Sequence, residues 1–443
     1  MTNPHWILES IAWALGAGAV ITIAVWGFVW ADVARSMRAV PTLRLGQTLA
    51  AANPPTGSVC AVVPAHNEAR VIAGFVRALR AETYPELRVV LALDRCTDNT
   101  AQLVRDGIAG DGRFEIVEID ACPPGWAGKT HAVHAGVTRS QAARDAEYLL
   151  FADADTVFEP GCIAASLALM RQRKLDLLSL ISTLTHDTWF ERVVQTAAAL
   201  ELMRQYPPMR ANGLKDRRAF ANGQFMLFTR STYDAIGGHA AVKGALLEDL
   251  ALARLVTDRQ LNPGVFMAAG LLHCRMYADW AQFRRGWKRI YTEAANRRAS
   301  RLSVAALRVR FLGVVLPLWT LACGIFGVVL ASTDLAKGLP LLCLWLVATL
   351  VWLFALVRIA SIAHAPAWTA PLHIVGAWLT GSLLYEAADD LRSGVPTRWA
   401  GLEYNLGGKS AGSTRPSADS DPGAESMDAQ RSADARKLGS GPP

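Results

Sequence analysis

The chain has 443 residues, 52% of them hydrophobic and only 19% charged, with fourteen tryptophans and a formal net charge of +7. A charged fraction below the roughly 25% of soluble globular proteins and a mean hydropathy of +0.21 exclude a disordered chain, a collagen-like fibre and a disulfide scaffold. They point to a membrane protein carrying one soluble domain. The seven cysteines are scattered without a CxxC pair, as expected of reduced residues rather than a disulfide framework or a zinc site. His131 and His134 lie on a predicted helix without the cysteines or HExxH pattern of a metal site.

The first predicted element is an apolar run from Ile11 to Trp30 with tryptophan near both ends. About twenty such residues span a bilayer, and tryptophan favours its interfaces. The run is long and has neither a basic leader before it nor an A-x-A site after it, so it reads as an anchor (6–31) rather than a cleaved signal. Arg35, Arg38 and Arg44 follow it, which by the positive-inside rule puts the next domain in the cytoplasm.

From about residue 58 to 290, strand-like runs alternate with helical patterns. SVCAVVPA, LRVVLALD, FEIVEID and YLLFADAD are short and β-rich, and ten or more helix-patterned residues separate the first three and follow the fourth. That alternation predicts an α/β domain with a mostly parallel sheet, whose ligand sits beyond the carboxyl ends of the strands. Those ends carry Pro64-Ala65-His66-Asn67-Glu68, Asp94, and Asp153-Ala154-Asp155. Asp98 fits a helix N-cap. Asp153 and Asp155, two apart on a strand, point to one side and repel unless a cation joins them; hard oxygen donors suit Mg2+ or Mn2+. Such an ion completes its shell with phosphate and water. GWAGKTHA lacks Walker A spacing, so the expected use of the ion is to hold a departing diphosphate. Lys129 offers a cation there, although a solvated lysine fits the spacing equally well. Glu248 and Asp249 open a later helix; they are either favourable N-terminal charge or a pair of candidate bases, of which about 100° of helical rotation lets only one reach an acceptor.

Downstream, nine basic residues between Arg284 and Arg310 face one acid, Glu293. Beside a span this cluster reads as a headgroup and topology signal rather than a nucleic-acid patch. Met276, Tyr277, Trp280, Phe283 and Trp287 recur at helical spacing, either to guide a lipid acceptor or to pack the domain onto the bilayer. Phe311–Ala331 and Leu339–Val357 read as spans; Pro366–Tyr385 is weaker, interrupted by Pro371 and His373. Four spans would conflict with Arg392 and Arg398, and an interfacial 366–385 resolves this. The last 37 residues, from Gly407, balance five basic against five acidic side chains without an aromatic, and read as a disordered tail.

Taken together, VVPAHNEA, LDRCTDNTA, GWAGKTHAVHAG, FADADT, ANGQFMLFTRSTYDAIGGHAAV and ALLEDLALAR resemble the family-2 glycosyltransferases of GT-A fold. GGHAAVKGALLEDLALAR with CRMYADWAQFRRGWKR is similar to the membrane-bound carotenoid (diaponeurosporenoate) and hopanoid-associated members. The resemblance implies a Rossmann-like cytoplasmic domain (58–290), a basic juxtamembrane segment (291–310) and two or three C-terminal membrane or interfacial helices (311–386), with the tail at 407–443. It implies a nucleotide-sugar pocket lined by Pro64, Ala65, Asn67 and Glu68, with Asp94 on the base, Lys129 on the nucleotide, Asp153 on ribose and metal, Asp155 as direct metal ligand and Asp249 as base. Gln224, Arg284, Arg285 and Trp287 fall in the acceptor or diphosphate region. Processive members carry QxxRW; Gln282-Phe-Arg-Arg-Gly-Trp287 displaces the tryptophan by one position. The expected function is metal-dependent, inverting sugar transfer, from a UDP-sugar, to a membrane lipid such as a carotenoid or other terpenoid. The alternatives are a processive polysaccharide synthase and an inactive membrane scaffold.

Overall fold

The computed structural model describes residues 5–213, 217–395, 397–399, 402–404 and 415–416. The expected tail from Gly407 therefore lies, apart from Arg415–Pro416, outside the described residues. Ten strands build the α/β domain: β1 Val59–Ala65, β2 Leu87–Asp94, β3 Phe114–Ile119, β4 Tyr148–Phe151, β5 Thr156–Phe158, β6 Leu177–Ile181, β7 Thr183–Leu184, β8 Met226–Thr229, β9 Pro263–Met267 and β10 Leu272–Cys274. Seven form one sheet in the order β3-β2-β1-β4-β8-β6-β9. Only β8 runs antiparallel to its neighbours β4 and β6; the remaining pairings are parallel.

Alternate residues of β1 explain why both faces are covered. Val59, Ala61 and Val63 pack with Phe75, Leu79 and Leu169 on one side, while Cys60 and Val62 pack with Ala132, Val133 and Val137 on the other. A period of two on a strand buried on both faces reads as a nearly continuous apolar run. Helix Gly128–Arg139 approaches β1 closely because Gly136 has no side chain: a Cβ there would lie 2.6 Å from Val62 Cγ1.

The structure differs from expectation after β4. Asp153 and Asp155 do not extend the strand into a helix. They occupy a turn, closed by Thr156 N–H donating to the Asp153 carbonyl at 3.3 Å, that leads into β5. β5, which belongs to a small second sheet β5-β10-β7, then precedes helix Cys162–Gln172.

Three helices, Trp6–Ala39, Ala299–Ala331 and Leu335–Ile362, are long and apolar enough to cross a membrane. The basic segment is broken by a turn at residues 295–298, and its helix Ala299–Arg310 is continuous with the second of them through a π-turn at Phe311–Val315. The stretch 366–385 forms a short 3-10 turn and helix His373–Ser393. That helix lies against Trp280–Ala294, held by Arg284 to Glu386 at 2.7 Å and by Lys288 to Asp390. Phe283 and Trp287 of the aromatic stripe, with Tyr291, are buried against Phe190, Leu383 and Leu384, so these rings pack within the protein, against helix His373–Ser393. After the first span only Val40–Thr42 separates it from helix Leu43–Ala52, and Met267 N–H of edge strand β9 donates to the Pro41 carbonyl at 3.3 Å.

Candidate active site

Past the end of β1, Asn67 takes a left-handed conformation with φ of 55°, which asparagine tolerates better than most residues. Its Oδ1 accepts from Thr97 N–H at 2.8 Å and from Asp98 N–H at 3.3 Å, joining the loops that follow β1 and β2. Asp98 stands one residue before the N-cap, Asn99, and accepts from Thr100 N–H at 3.0 Å. Asp94, buried at the end of β2, forms a two-pronged pair with Arg95 at 2.9 and 2.7 Å. Pro64 and Ala65 form the lip of β1, and the half-buried Glu68 follows. Burial, then Asp153 and Asp98, push Glu68 up to about 7.

Helix Gly128–Arg139 is pinned at its start by Ala127 N–H to the Lys243 carbonyl at 2.7 Å and by the Thr130 hydroxyl to the Ala245 carbonyl at 3.3 Å. These bonds bring Lys129 to the loop that precedes Glu248. Lys129 Nζ lies 2.6 Å from Asp153 Oδ1 and 2.5 Å from Glu248 Oε1. Burial opposes its charge, but Asp153, Glu248 and Asp249 outweigh that and hold it protonated above the usual lysine range. Burial likewise works against the Glu248 charge, and Lys129 reverses the balance to bring Glu248 below the usual range.

Asp249 has a different environment from its neighbour. Gly223 N–H donates to its Oδ2 at 2.9 Å and Leu250 N–H to its Oδ1 at 2.7 Å. Two fixed donors orient the carboxylate and leave further lone pairs for a substrate. Burial, with Glu248 next, raises it to about 6. Asp155 has an oxygen, Oδ1, that is buried without a hydrogen-bond partner among the described residues. Burial, Asp153 and Glu68 push it up to about 8, against Lys129 and a hydrogen bond with the Cys274 thiol. An orphaned buried carboxylate oxygen within a group of like charges fits a cation. Among the described residues no set of three or more His, Cys, Asp or Glu side chains gathers as a metal centre, so Asp153 and Asp155 suit a hard divalent ion that takes its other oxygens from phosphate and water. His134 stacks on Trp126 at 4.9 Å and His131 meets its edge at 5.5 Å.

The structure thus brings Glu68, Lys129, Asp153, Asp155, Glu248 and Asp249 together, with Asn67 and Asp94 on the neighbouring strand ends. Gln224 is buried beside them, accepting from Asn222 Nδ2 at 3.0 Å and from the Ser182 hydroxyl. The expected cations of the later helix are placed elsewhere: Arg284 pairs with Glu386 and Arg285 is exposed, while Trp287 is in the apolar cluster. The cation of that helix acting on Asp153 is Arg289, which also acts on Tyr277. Sequence reasoning also missed Cys274 and Gly223, both brought in by strand pairing or backbone approach that no local pattern encodes.

With this geometry in place, comparison with known proteins is informative. Residues 54–262 match the family described as glycosyltransferase-like family 2. The 4,4'-diaponeurosporenoate glycosyltransferase of Staphylococcus aureus (strain USA300) is 26% identical over 240 residues, which is 53% of this chain and 61% of that protein. The protein of the same description from strain MRSA252 is 27% identical over 242 residues, with the same two coverages of 53% and 61%. The chain thus spans about three fifths of the length of these curated relatives. Among solved structures, a mannosyltransferase from Pyrobaculum calidifontis in complex with GDP-Man and Mn2+ aligns with 86% of this chain and 98% of its own at a TM-score of 0.43 and 16% identity. The glucosyl-3-phosphoglycerate synthase of Mycobacterium tuberculosis aligns with 58% of this chain and 84% of its own at a TM-score of 0.37 and 15% identity. The match over residues 54–262 makes the α/β domain similar to the family-2 glycosyltransferases, in keeping with its mostly parallel sheet and the motifs that line its strand ends.

Proposed function

We propose that the chain transfers a sugar from a nucleotide sugar, with a UDP-sugar as donor, to a membrane lipid such as a terpenoid, with inversion and with Mg2+ or Mn2+ bound. The observation carrying this reading is the division of labour between two adjacent acids. Glu248 is committed to Lys129 at 2.5 Å, while Asp249 is oriented by two backbone N–H groups and raised to about 6. That is the condition of a general base ionised at neutral pH and close enough to it to accept a proton.

Pro64, Ala65, Asn67, Glu68 and Asp94 border the nucleotide in this reading. Lys129 and the positive end of helix Gly128–Arg139 face the diphosphate as it departs. Asp249 takes the proton of the acceptor hydroxyl while the hydroxyl oxygen bonds to the anomeric carbon and the bond from that carbon to the diphosphate breaks. Asp153 and Asp155 are the residues that would hold a divalent ion, which would supply charge neutralisation to the leaving group.

The bilayer is the other partner. Arg35, Arg38 and Arg44 follow the first span and the 284–310 cluster precedes the second, so the positive-inside rule places the α/β domain on the cytoplasmic face of the cell membrane. Nucleic acid has no part in this reading. The test uses membranes from cells expressing the wild type or Asp249→Asn, supplied with radiolabelled UDP-sugars and Mn2+. Label entering the organic phase with the wild type alone is the expected result. Label in a long polymer, or no incorporation from any UDP-sugar, overturns it.

A further inference from the structure

We propose that the cavity enclosed between the spans and the α/β domain binds the chain of a long amphipathic lipid and presents its polar end to the active site. The proposal rests on the reading above, that the acceptor is a lipid, and gives that acceptor a place. The cavity has a volume of about 990 Å³, at the upper end of the roughly 300–1,000 Å³ typical of ligand pockets.

Its shape and its lining indicate the occupant. One wall follows the first helix from Ala24 to Val40, about 24 Å at about 1.5 Å per residue. The facing wall is the segment from Gln195 to Pro208, and the other spans contribute Leu312 and Ile362 from their ends nearest the α/β domain. Val29, Val33, Leu200 and Met203 make these walls apolar. Water has few polar partners in such a space and apolar cavities stay dry, whereas a lipid chain enters from the surrounding hydrocarbon. Two acids line it: Glu201 is 3% exposed and is paired with both Arg204 and Arg308, and the exposed Asp32 is paired with Arg35 at 3.7 Å. A buried charge is tolerable when paired, so this wall offers no net demand for a charged chain.

The opposite end is polar and adjoins the site. Thr42, Ser182 and Thr183 line it. The Ser182 hydroxyl donates to Gln224, which follows Gly223, the residue whose N–H holds Asp249 at 2.9 Å. Leu184, also in the lining, pairs in register with Cys274, whose thiol bonds Asp155. The floor of the cavity is therefore separated from the acidic pair by Cys274 and from the base by Gln224 and Gly223. An apolar shaft closing on a polar floor beside the reaction centre matches a molecule with one long apolar chain and one reactive polar terminus.

The experiment places the full chain in nanodiscs of phosphatidylcholine and phosphatidylglycerol with a diazirine-bearing polyisoprenol. After photolysis, adducts are mapped by peptide mass spectrometry. The expected adducts fall in both 24–40 and 195–208. Val33→Trp and Ala199→Trp, which fill the shaft from opposite walls, should each reduce labelling roughly tenfold, the effect of overpacking a site by about 1.4 kcal/mol, with UDP affinity unchanged. Adducts confined to the outer surfaces of the spans, undiminished labelling in both variants, or displacement of the probe by phosphatidylcholine alone overturns the proposal. The two readings fail separately. Labelling as expected without sugar transfer to any lipid removes the acceptor reading and leaves a lipid site; transfer with unchanged KM in both tryptophan variants removes the cavity and leaves the acceptor reading.

Discussion

Lys129 Nζ sits 2.5 Å from Glu248 Oε1, and this single pairing separates the roles of two carboxylates adjacent in sequence. It ties Glu248 to the start of helix Gly128–Arg139 and leaves Asp249 to face Gly223.

Asp249→Asn is expected to lower sugar transfer by about 10²–10⁴-fold, the usual contribution of a general base, while donor affinity stays near wild type. The amide keeps the shape, but its single oxygen accepts from only one of the Gly223 and Leu250 N–H groups, and it cannot take a proton. Isothermal titration with UDP beside a transfer assay separates the two quantities. Loss of donor affinity equal to the loss of transfer would move Asp249 from chemistry to binding.

The transfer rate should rise with pH through about 6, where Asp249 ionises, and then level off. Burial is the first cause of that elevation and the Glu248 charge the second, so Glu248→Gln should move the acid limb to lower pH. The same change removes one of the carboxylates paired with Lys129 and should reduce thermal stability. A pH profile of kcat/KM for the two proteins reads the shift directly; an unmoved limb would assign it to another group.

Asp155 is raised to about 8, far above the roughly 4 of an unfolded aspartate. The folded state therefore holds that proton more tightly, and its contribution to stability, complete below about 4, is lost as pH rises through about 8. In metal-free protein, Asp155→Asn should flatten this fall and melt higher than wild type at alkaline pH. Added Mn2+ should stabilise the wild type and not the variant. Thermal unfolding in detergent with and without chelator measures both; equal Mn2+ stabilisation would remove Asp155 from the metal set.

Gly223→Ala places a Cβ 3.2 Å from Asp249 Oδ2 and 3.3 Å from Lys129 Nζ. Both groups must give way by tenths of an ångström, and small misplacements of reacting groups cost up to about a hundredfold. A fall of about tenfold to a hundredfold in kcat with little change in thermal stability is expected. Wild-type turnover would show that the site tolerates the shift.

Most strands that carry the site were readable because each alternates or runs apolar over four or more residues and stops at a polar end: Val59–Ala65, Leu87–Asp94 and Phe114–Ile119 form where the pattern placed them, while the fourth ends at Phe151, before the aspartates it was expected to include. The acidic ends were readable for the same reason. The small sheet was not, because Thr183–Leu184 and Leu272–Cys274 are too short for a period to register. Its strand β10 nevertheless supplies the thiol on Asp155. The choice of Arg289 over Arg284 and Arg285 was hidden as well. All three lie in one basic run, and which of them faces the carboxylates depends on the burial of Phe283 and Trp287 against helix His373–Ser393, a contact about a hundred residues away in the chain.

The junction at Val40–Thr42 has a consequence for what the enzyme can reach. Three residues extend at most about 10 Å, and Pro41 is itself bonded to β9 through Met267 N–H. The domain thus rides on a leash without slack. Under the proposed transfer to a membrane lipid, such a tether would hold the carboxylates at one height above the bilayer and so favour molecules whose reactive group surfaces at that level.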